Sequence, residues 1–222
     1  MTKVVLVRHA RSTANADGVL AGRMPGVVLD DVGRRQARAL GEMLAGVVVA
    51  AAYTSPIQRC RETAALAGFP EAAVLDGMSE CDYGVWTGAK LAALQGEALW
   101  TDIQAAPSTV SFPGGESMLE MFDRTTAAVA GVAAAHGQAA TVLIFSHGDP
   151  IKAVLAHAFG MGLDDFQRVH VGPAGVSVVE YGGERPMVLG VNLGADIGSL
   201  LATTVAPVVG GGDVAPPPPV RD

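Results

Sequence analysis

Four times along this chain a short apolar stretch ends and a cluster of charged and hydrogen-bonding residues begins at once. "RHARSTAN" follows the run at 4–7, "SPIQRCRETA" the run at 47–53, "SECDYGVWTG" follows Leu75, and "SHGDP" follows the run at 139–145. The runs are continuous rather than alternating, the pattern of strands buried on both faces, and a further one spans 176–181. Amphipathic stretches lie between them. Asp30 or Asp31 can cap a helix that sets Gly33, Ala37, Leu40 and Leu44 on one face before Gly46 stops it. Helices are also expected at about 56–67, ending at Gly68; at about 117–135, with Met118, Phe122, Val129 and Val132 in a stripe; and after "SHGDP". Buried strands alternating with such helices predict an α/β three-layer sandwich, a mostly parallel sheet flanked by helices. Ligands of such sheets collect at the carboxyl ends of the strands, which is where the four polar clusters lie.

Half of the 222 residues are hydrophobic, enough for one domain with a sizeable core, expected over 1–207. Residues 84–116 break the rhythm with a weaker helix at about 91–103 and the turn-rich "APSTVSFPGGES", the mark of a lid insertion. The closing "VVGGGDVAPPPPVRD", 208–222, cannot bury enough apolar surface to order itself and reads as a flexible tail. Fifteen Lys and Arg face 22 Asp and Glu, a net charge of −7. That balance offers no long-range pull on nucleic acid or acidic membranes, so an anion has to be caught by a local cluster. Cys60 and Cys81 are the only cysteines, without the spacing of a metal site or a disulfide framework, which fits a reducing cytosol. With no signal-peptide pattern and no apolar stretch of spanning length, a cytoplasmic protein without nucleic-acid or membrane partners is expected.

If the four strand ends meet, Arg8, His9, Arg59, Glu80 and His147 share one pocket. Two guanidiniums and two imidazoles around one carboxylate suit a phosphate. A phosphoryl group in transfer spreads charge over three equatorial oxygens, which planar guanidiniums meet with paired donors, a role open to Arg8 and Arg59. A neutral imidazole can attack phosphorus and carry the group covalently, splitting one displacement into two, and His9 is the better placed for it. The leaving alkoxide needs a proton, which Glu80 can give if partial burial raises its pKa against the pull of nearby cations. His147, protonated beside the phosphate's own charge, would donate to it, and Ser12, Asn15 and the backbone of Gly148 at a helix start would complete the cradle. Plainer readings stand beside these. Glu80 can be an arginine's structural partner, His136 and His157 a helix-terminal and a surface or core histidine, and Tyr83, Trp86, Cys60 and Cys81 packing. His9, His147 and Glu80 can also be read as a facial triad for a metal, though arginines beside a cation site argue against it.

In this order, the four segments resemble the signatures of the histidine phosphatase superfamily, in the branch related to cofactor-dependent phosphoglycerate mutase, from about residue 3 to 181. The resemblance implies that Arg8 and Arg59 hold the phosphate, with the loop asparagine at Asn15. It implies likewise that His9 is the nucleophile, Glu80 the proton donor and His147 the second histidine. The chain would then be a metal-independent, cofactor-free phosphomonoesterase that acts on a small phosphorylated metabolite through a phosphohistidine; a homodimer is left open.

Departures from the pattern narrow the reading. Ala10 stands where the family usually has glycine, so that a methyl group narrows the loop, and Arg11 adds a cation near its mouth. Gly26 stands where an aspartate is usual, and Asp30 takes over as cap. Mutases of the family resemble one another in adjacent lid arginines that hold a substrate carboxylate. Between Glu80 and His147 this chain has only Lys90 and Arg124, which favours a phosphatase over a phosphoglycerate mutase-type phosphotransferase. A phosphoester-binding or scaffold protein that has lost catalysis is the alternative of another class. Contributions of Arg11, Arg23, Arg168 and His170 to the pocket rim are left open.

Overall fold

The computed structural model describes residues 1–194; the expected domain end at 195–207 and the expected tail at 208–222 lie outside the described residues. In chain order the elements are β1 (Thr2–Arg8), α1 (Thr13–Ala16), α2 (Asp31–Leu44), β2 (Ala51–Thr54), α3 (Gln58–Leu66) and β3 (Ala73–Val74). They continue with α4 (Leu91–Leu94), α5 (Ala98–Ala105), α6 (Met118–Ala135), β4 (Thr141–Ser146), α7 (Gly148–Ala158), β5 (Val176–Tyr181) and β6 (Met187–Leu193). The six strands form one sheet in the order β3-β2-β4-β1-β5-β6. The first four in that order pair in parallel, and β5 and β6 join antiparallel at the far side.

Period-2 alternation along β1 builds the layers. Val4 and Leu6 face Val129 and Val132 of α6 and Ile151 and Val154 of α7. Val5 and Val7 face Leu40 and Leu44 of α2 and Ala64 of α3. Both faces of the central strands are therefore covered, as their unbroken apolar runs require. Register then aligns the strand ends: Arg8 pairs with Ser146, and Thr54 with Phe145. Hydrogen bonds carry the ladder one residue further, from His9 N to the Ser146 carbonyl and from Ser55 N to the Phe145 carbonyl, each 2.8 Å. His9, Ser55 and His147 thus leave the sheet side by side.

Helix ends follow the local chemistry. Asp30 caps α2, its carboxylate accepting from Gly33 N at 2.7 Å, and Ser117 and Glu120 form a reciprocal capping box at the head of α6. Gly33 is required by close approach, since a methyl group there would run into the Arg11 carbonyl; this contact seats α2 against the loop that follows β1.

Two expectations change and one strand is added. The run at 47–53 forms a strand only from Ala51. Its partner β4 begins at Thr141, so residues 47–49 have no neighbour to pair with, and Val48 is 88% exposed. β6 was hidden because Gly190 and Asn192 interrupt its alternation just after Pro186, and its pairing with β5 shifts register twice. The single helix expected at 91–103 is two short ones, parted at Gln95–Glu97.

Residues 84–116, expected as a lid, are packed as a cap with an interior of its own. Trp86, Leu91, Leu94, Ile103, Val110 and Phe112 are buried together with Tyr83, Met118 and Met121. Phe112, 2% exposed, lies edge-on to Tyr83 and to Trp86, with ring centroids 5.0 and 5.7 Å away. Such pairs add about 0.5–1.5 kcal/mol each beyond the area they bury. Phe112→Ala should therefore lower the unfolding free energy by about 3–5 kcal/mol in urea; a loss below about 1 kcal/mol would show that the cap contributes little to the fold.

Candidate active site

The strand ends bring Arg8, His9, Arg59, Glu80 and His147 together in one buried group, each no more than 3% exposed. The His9 and His147 rings stand edge to face, with centroids 5.3 Å apart. Arg59, in the first turn of α3, bridges them: its Nε donates to His9 Nε2 at 3.1 Å and its Nη2 to His147 Nδ1 at 3.0 Å. The same Nη2 donates to the Gly22 carbonyl at 2.8 Å. Arg59 Nη1 is buried and has no hydrogen-bond partner among the described residues. Leaving such a donor unmade costs about 1–3 kcal/mol or more. Arg8 reaches back from the end of β1 to the Val171 carbonyl at 2.7 Å.

These contacts fix both tautomers. His9 Nδ1 lies 2.8 Å from the Ala10 carbonyl, which can only accept, so Nδ1 carries the proton and Nε2 presents its lone pair to Arg59. His147 Nε2 lies 2.8 Å from Ser55 Oγ while its Nδ1 faces Arg59, which places its proton on Nε2. Burial, then the charges of Arg59 and Arg8, hold the His9 pKa well below 6.5. Burial and Arg59 do the same for His147, with His9 and Arg8 adding to it. Both rings are neutral. Thr63, one turn beyond Arg59, accepts from Ala10 N at 3.1 Å and donates to the Arg59 carbonyl at 2.7 Å, tying α3 to the loop that carries His9.

Glu80 approaches from the other side, its Oε2 3.9 Å from His147 Nδ1 and its Oε1 accepting from Cys81 N at 3.0 Å. Burial, then the charge of Asp149, push its pKa up to about 7, against the pull of Arg59 and Arg8. Its backbone is clasped. Arg23 Nε and Arg124 Nη2 both donate to the Glu80 carbonyl, at 2.9 and 3.1 Å, and Arg124 Nη1 donates to the carbonyls of Gly77 and Ser79. Glu116 locks the two arginines, accepting from Arg23 at 2.9 Å and from Arg124 at 2.6 Å.

The cleft is lined by His9, Ser12, Asn15, Arg59, Glu80 and Tyr83 together with residues 19–22, and the free space inside is about 10 Å³, about what one water needs. Ser12 and Asn15 cap α1 reciprocally at this wall. Gly148 opens α7; it, Arg8 and His147 are not among the lining residues, Arg8 and His147 lying behind His9 and Arg59 in the same buried group. Ala10 does not narrow the loop: its methyl group packs away from the cleft on Leu29 and Ala37. Arg11 adds no cation to the mouth, because Asp30 holds it at 2.7 Å through both Nε and Nη2. His136 bonds the Tyr53 hydroxyl and His157 lies edge-on to Phe122, both away from the cleft. Arg168 pairs with Asp165 in solvent. Cys60 and Cys81 are free and buried, and burial pushes the Cys60 thiol up to about 12. Among the described residues no group of three His, Cys, Asp or Glu side chains is arranged to hold a metal ion, and Arg59 occupies the lone pairs of His9 and His147 that a triad with Glu80 would need.

Sequence reasoning gave no role to Ser55, to the Gly22 carbonyl, to the clasp on Glu80 or to Asp149. Ser55 and Asp149 stood in plain view, the first residue of "SPIQR" and the carboxylate two places after His147. The clasp joins residues far apart in the chain and leaves no local signal.

The profile of the histidine phosphatase superfamily (branch 1) matches residues 4–194. The chain belongs to that superfamily, and it is a phosphatase. Phosphoserine phosphatase 1 of Hydrogenobacter thermophilus is 29% identical over 209 residues, spanning 89% of this chain and 95% of the relative. Bacillus stearothermophilus YhfR superposes with a TM-score of 0.78 at 26% identity, covering 85% of this chain and 96% of that one. A mutant phosphoserine phosphatase of Entamoeba histolytica, solved with phosphoserine, has the same fold, with a TM-score of 0.78 at 22% identity over 87% of this chain and 98% of its own. No helix among the described residues is long and apolar enough to cross a membrane.

The clasp makes a specific demand. Arg124→Met takes away the donor of the Gly77 and Ser79 carbonyls and one of the two arginines on Glu116 and on the Glu80 carbonyl, and should cost about 1–3 kcal/mol of stability. Amide hydrogen exchange should accelerate at 77–84 before the sheet is affected. Unchanged exchange in that segment would mean that Arg124 does not hold it.

Proposed function

We propose that this phosphatase hydrolyses a small phosphorylated metabolite in two displacements, with His9 as the phosphoryl carrier. Arg59 carries the reading: a buried guanidinium with an unpartnered Nη1 stands against the lone pair of a neutral imidazole, so a donor for phosphate and a nucleophile for phosphorus are in contact before substrate arrives. A phosphoryl group enters by exchange. Its oxygens take over the donors of Arg59 and Arg8, and His9 Nε2, released from Arg59, attacks in line. The hydrogen bond from Nδ1 to the Ala10 carbonyl keeps the ring oriented and takes up part of the positive charge that develops on it. His147, neutral beside Arg59, gains a proton when the dianion offsets the neighbouring cations, and then donates to an equatorial oxygen. Ser12 and Asn15, which line the cleft, supply further polar groups around the phosphate.

Glu80, partly protonated near neutrality, gives its proton to the leaving oxygen and then takes one from the water that cleaves the phosphohistidine. Phosphorylated hydroxy or amino acids fit the reading, since relatives in both comparisons are phosphoserine phosphatases. Hydrolysis rather than transfer is supported by where the other cations go. Lys90 donates to the Asp17 carbonyl, Arg124 is taken up in the clasp, and neither lines the cleft to retain a second anionic group.

Two outcomes test these roles. Rapid quenching of the native protein during turnover of p-nitrophenyl phosphate should trap an acid-labile phosphate. His9→Ala should trap none and turn over about 10³-fold more slowly or worse, and equal trapping on both would reject His9. For Glu80 the sign follows from its role. As an acid it works protonated, so kcat/KM for phenyl phosphate, whose leaving group is basic, should fall as pH rises through about 7. Glu80→Gln should abolish this limb and slow phenyl phosphate about 10²–10⁴-fold while sparing p-nitrophenyl phosphate. Equal losses on both substrates would make Glu80 structural.

A further inference from the structure

We propose that Asp149 is a positioning residue that keeps Glu80 in its acid form, acting from behind His147 through a buried assembly with Tyr83 and Lys152. The inference rests on the reading of Glu80 as proton donor. Glu80 is faced by Arg8 at the end of β1 and His9 just after it, by Arg59 and Cys60 from α3, by Cys81 and Tyr83 from its own loop, by His147 at the cap of α7 and Asp149 in its first turn, and by Arg124 from α6. Arg23 and Glu116 complete the surroundings on the cap side. The arginines and the Cys81 N–H all favour the carboxylate, and an ionised Glu80 has no proton to give. Burial opposes them. So does a second negative charge: Glu116 is held by two arginines at 2.9 and 2.6 Å, whereas the Lys152 ammonium stands 3.4 Å from Asp149 and offsets its charge less.

Asp149 meets the requirement by position. It is wholly buried, two residues beyond His147, the ring that Glu80 faces at 3.9 Å. Its charge acts on Glu80 across the buried space that the His147 ring and Tyr83 share. Its Oδ2 accepts from the Tyr83 hydroxyl at 2.7 Å and its Oδ1 lies 3.4 Å from Lys152 Nζ. Tyr83 stands three residues after Glu80 and lines the same cleft, so the bond to Asp149 also fixes the acid's loop to the head of α7. Lys152 is held in turn by Gln167 Oε1 at 2.9 Å. Burial and the Asp149 charge act together against the two site arginines.

The test is the pH dependence of kcat/KM for phenyl phosphate, where proton donation matters, with p-nitrophenyl phosphate as the internal control. The substrates' own ionisation is common to all variants and cancels. Asp149→Asn keeps the shape and removes the charge, so the alkaline limb should move down by about one pH unit, with p-nitrophenyl phosphate turnover near pH 6 changed far less. Tyr83→Phe keeps the charge and removes the dipole that moderates it, so the limb should move up; this variant carries the test if Asp149→Asn does not fold. Lower turnover with the limb unmoved in both variants would make the assembly structural and overturn the inference. If the native limb is absent, or survives in Glu80→Gln, the reading of Glu80 fails first and the inference with it.

Discussion

A single buried guanidinium, that of Arg59, decides what the rest of this site can be. Placed between His9 and His147 with a hydrogen bond to each, it requires both imidazoles to be acceptors and therefore neutral. Water would otherwise compete for those lone pairs, but the group is buried. Desolvation penalises the cationic form of each ring, and Arg59 adds repulsion to it. A buried cation stripped of water is itself costly, by several kcal/mol before pairing. Carbonyl and imidazole acceptors offset part of that cost and leave Nη1 without a partner. An anion with several acceptor oxygens completes the arrangement.

The fold serves this arrangement through register and through the cap. Parallel pairing of β2, β4 and β1 sets Ser55, His147 and His9 at one level, and α3 starts at once from the same edge, so Arg59 need not reach far. Glu80 comes from a loop with no strand to fix it. Its position depends on Arg23, Arg124 and Glu116 on the backbone side and on the bond from Tyr83 to Asp149 on the other. The acid is thus adjustable separately from the nucleophile, because the two are held by different parts of the molecule.

Much of this was legible in the sequence. Unbroken apolar runs identified the central strands because those are buried on both faces, and Asp30, Gly46 and Gly68 marked helix ends through their own backbone and capping chemistry. Residues that meet at strand ends were legible because the topology of such sheets gathers them. β6 was not, since Gly190 and Asn192 interrupt its alternation, and neither was the division of 91–103, where propensity alone could not show the break at Gln95–Glu97. The direction of the Ala10 methyl group and the pairing of Arg11 with Asp30 depend on how α2 seats against the loop, a contact between segments that no local pattern encodes. Glu80 was legible as a candidate, but the balance of charges that sets its protonation was not.

Nitrogen NMR of the histidine-labelled protein reads the protonation of both rings directly. At pH 7, in the absence of phosphate, His9 should appear as a neutral ring protonated at Nδ1 with a bare Nε2, and His147 as a neutral ring protonated at Nε2. Both should remain neutral as the pH is lowered past 6.5, the ordinary value for the side chain. An imidazolium signal for either ring at pH 7, or a proton on His9 Nε2, would contradict the bridging role of Arg59.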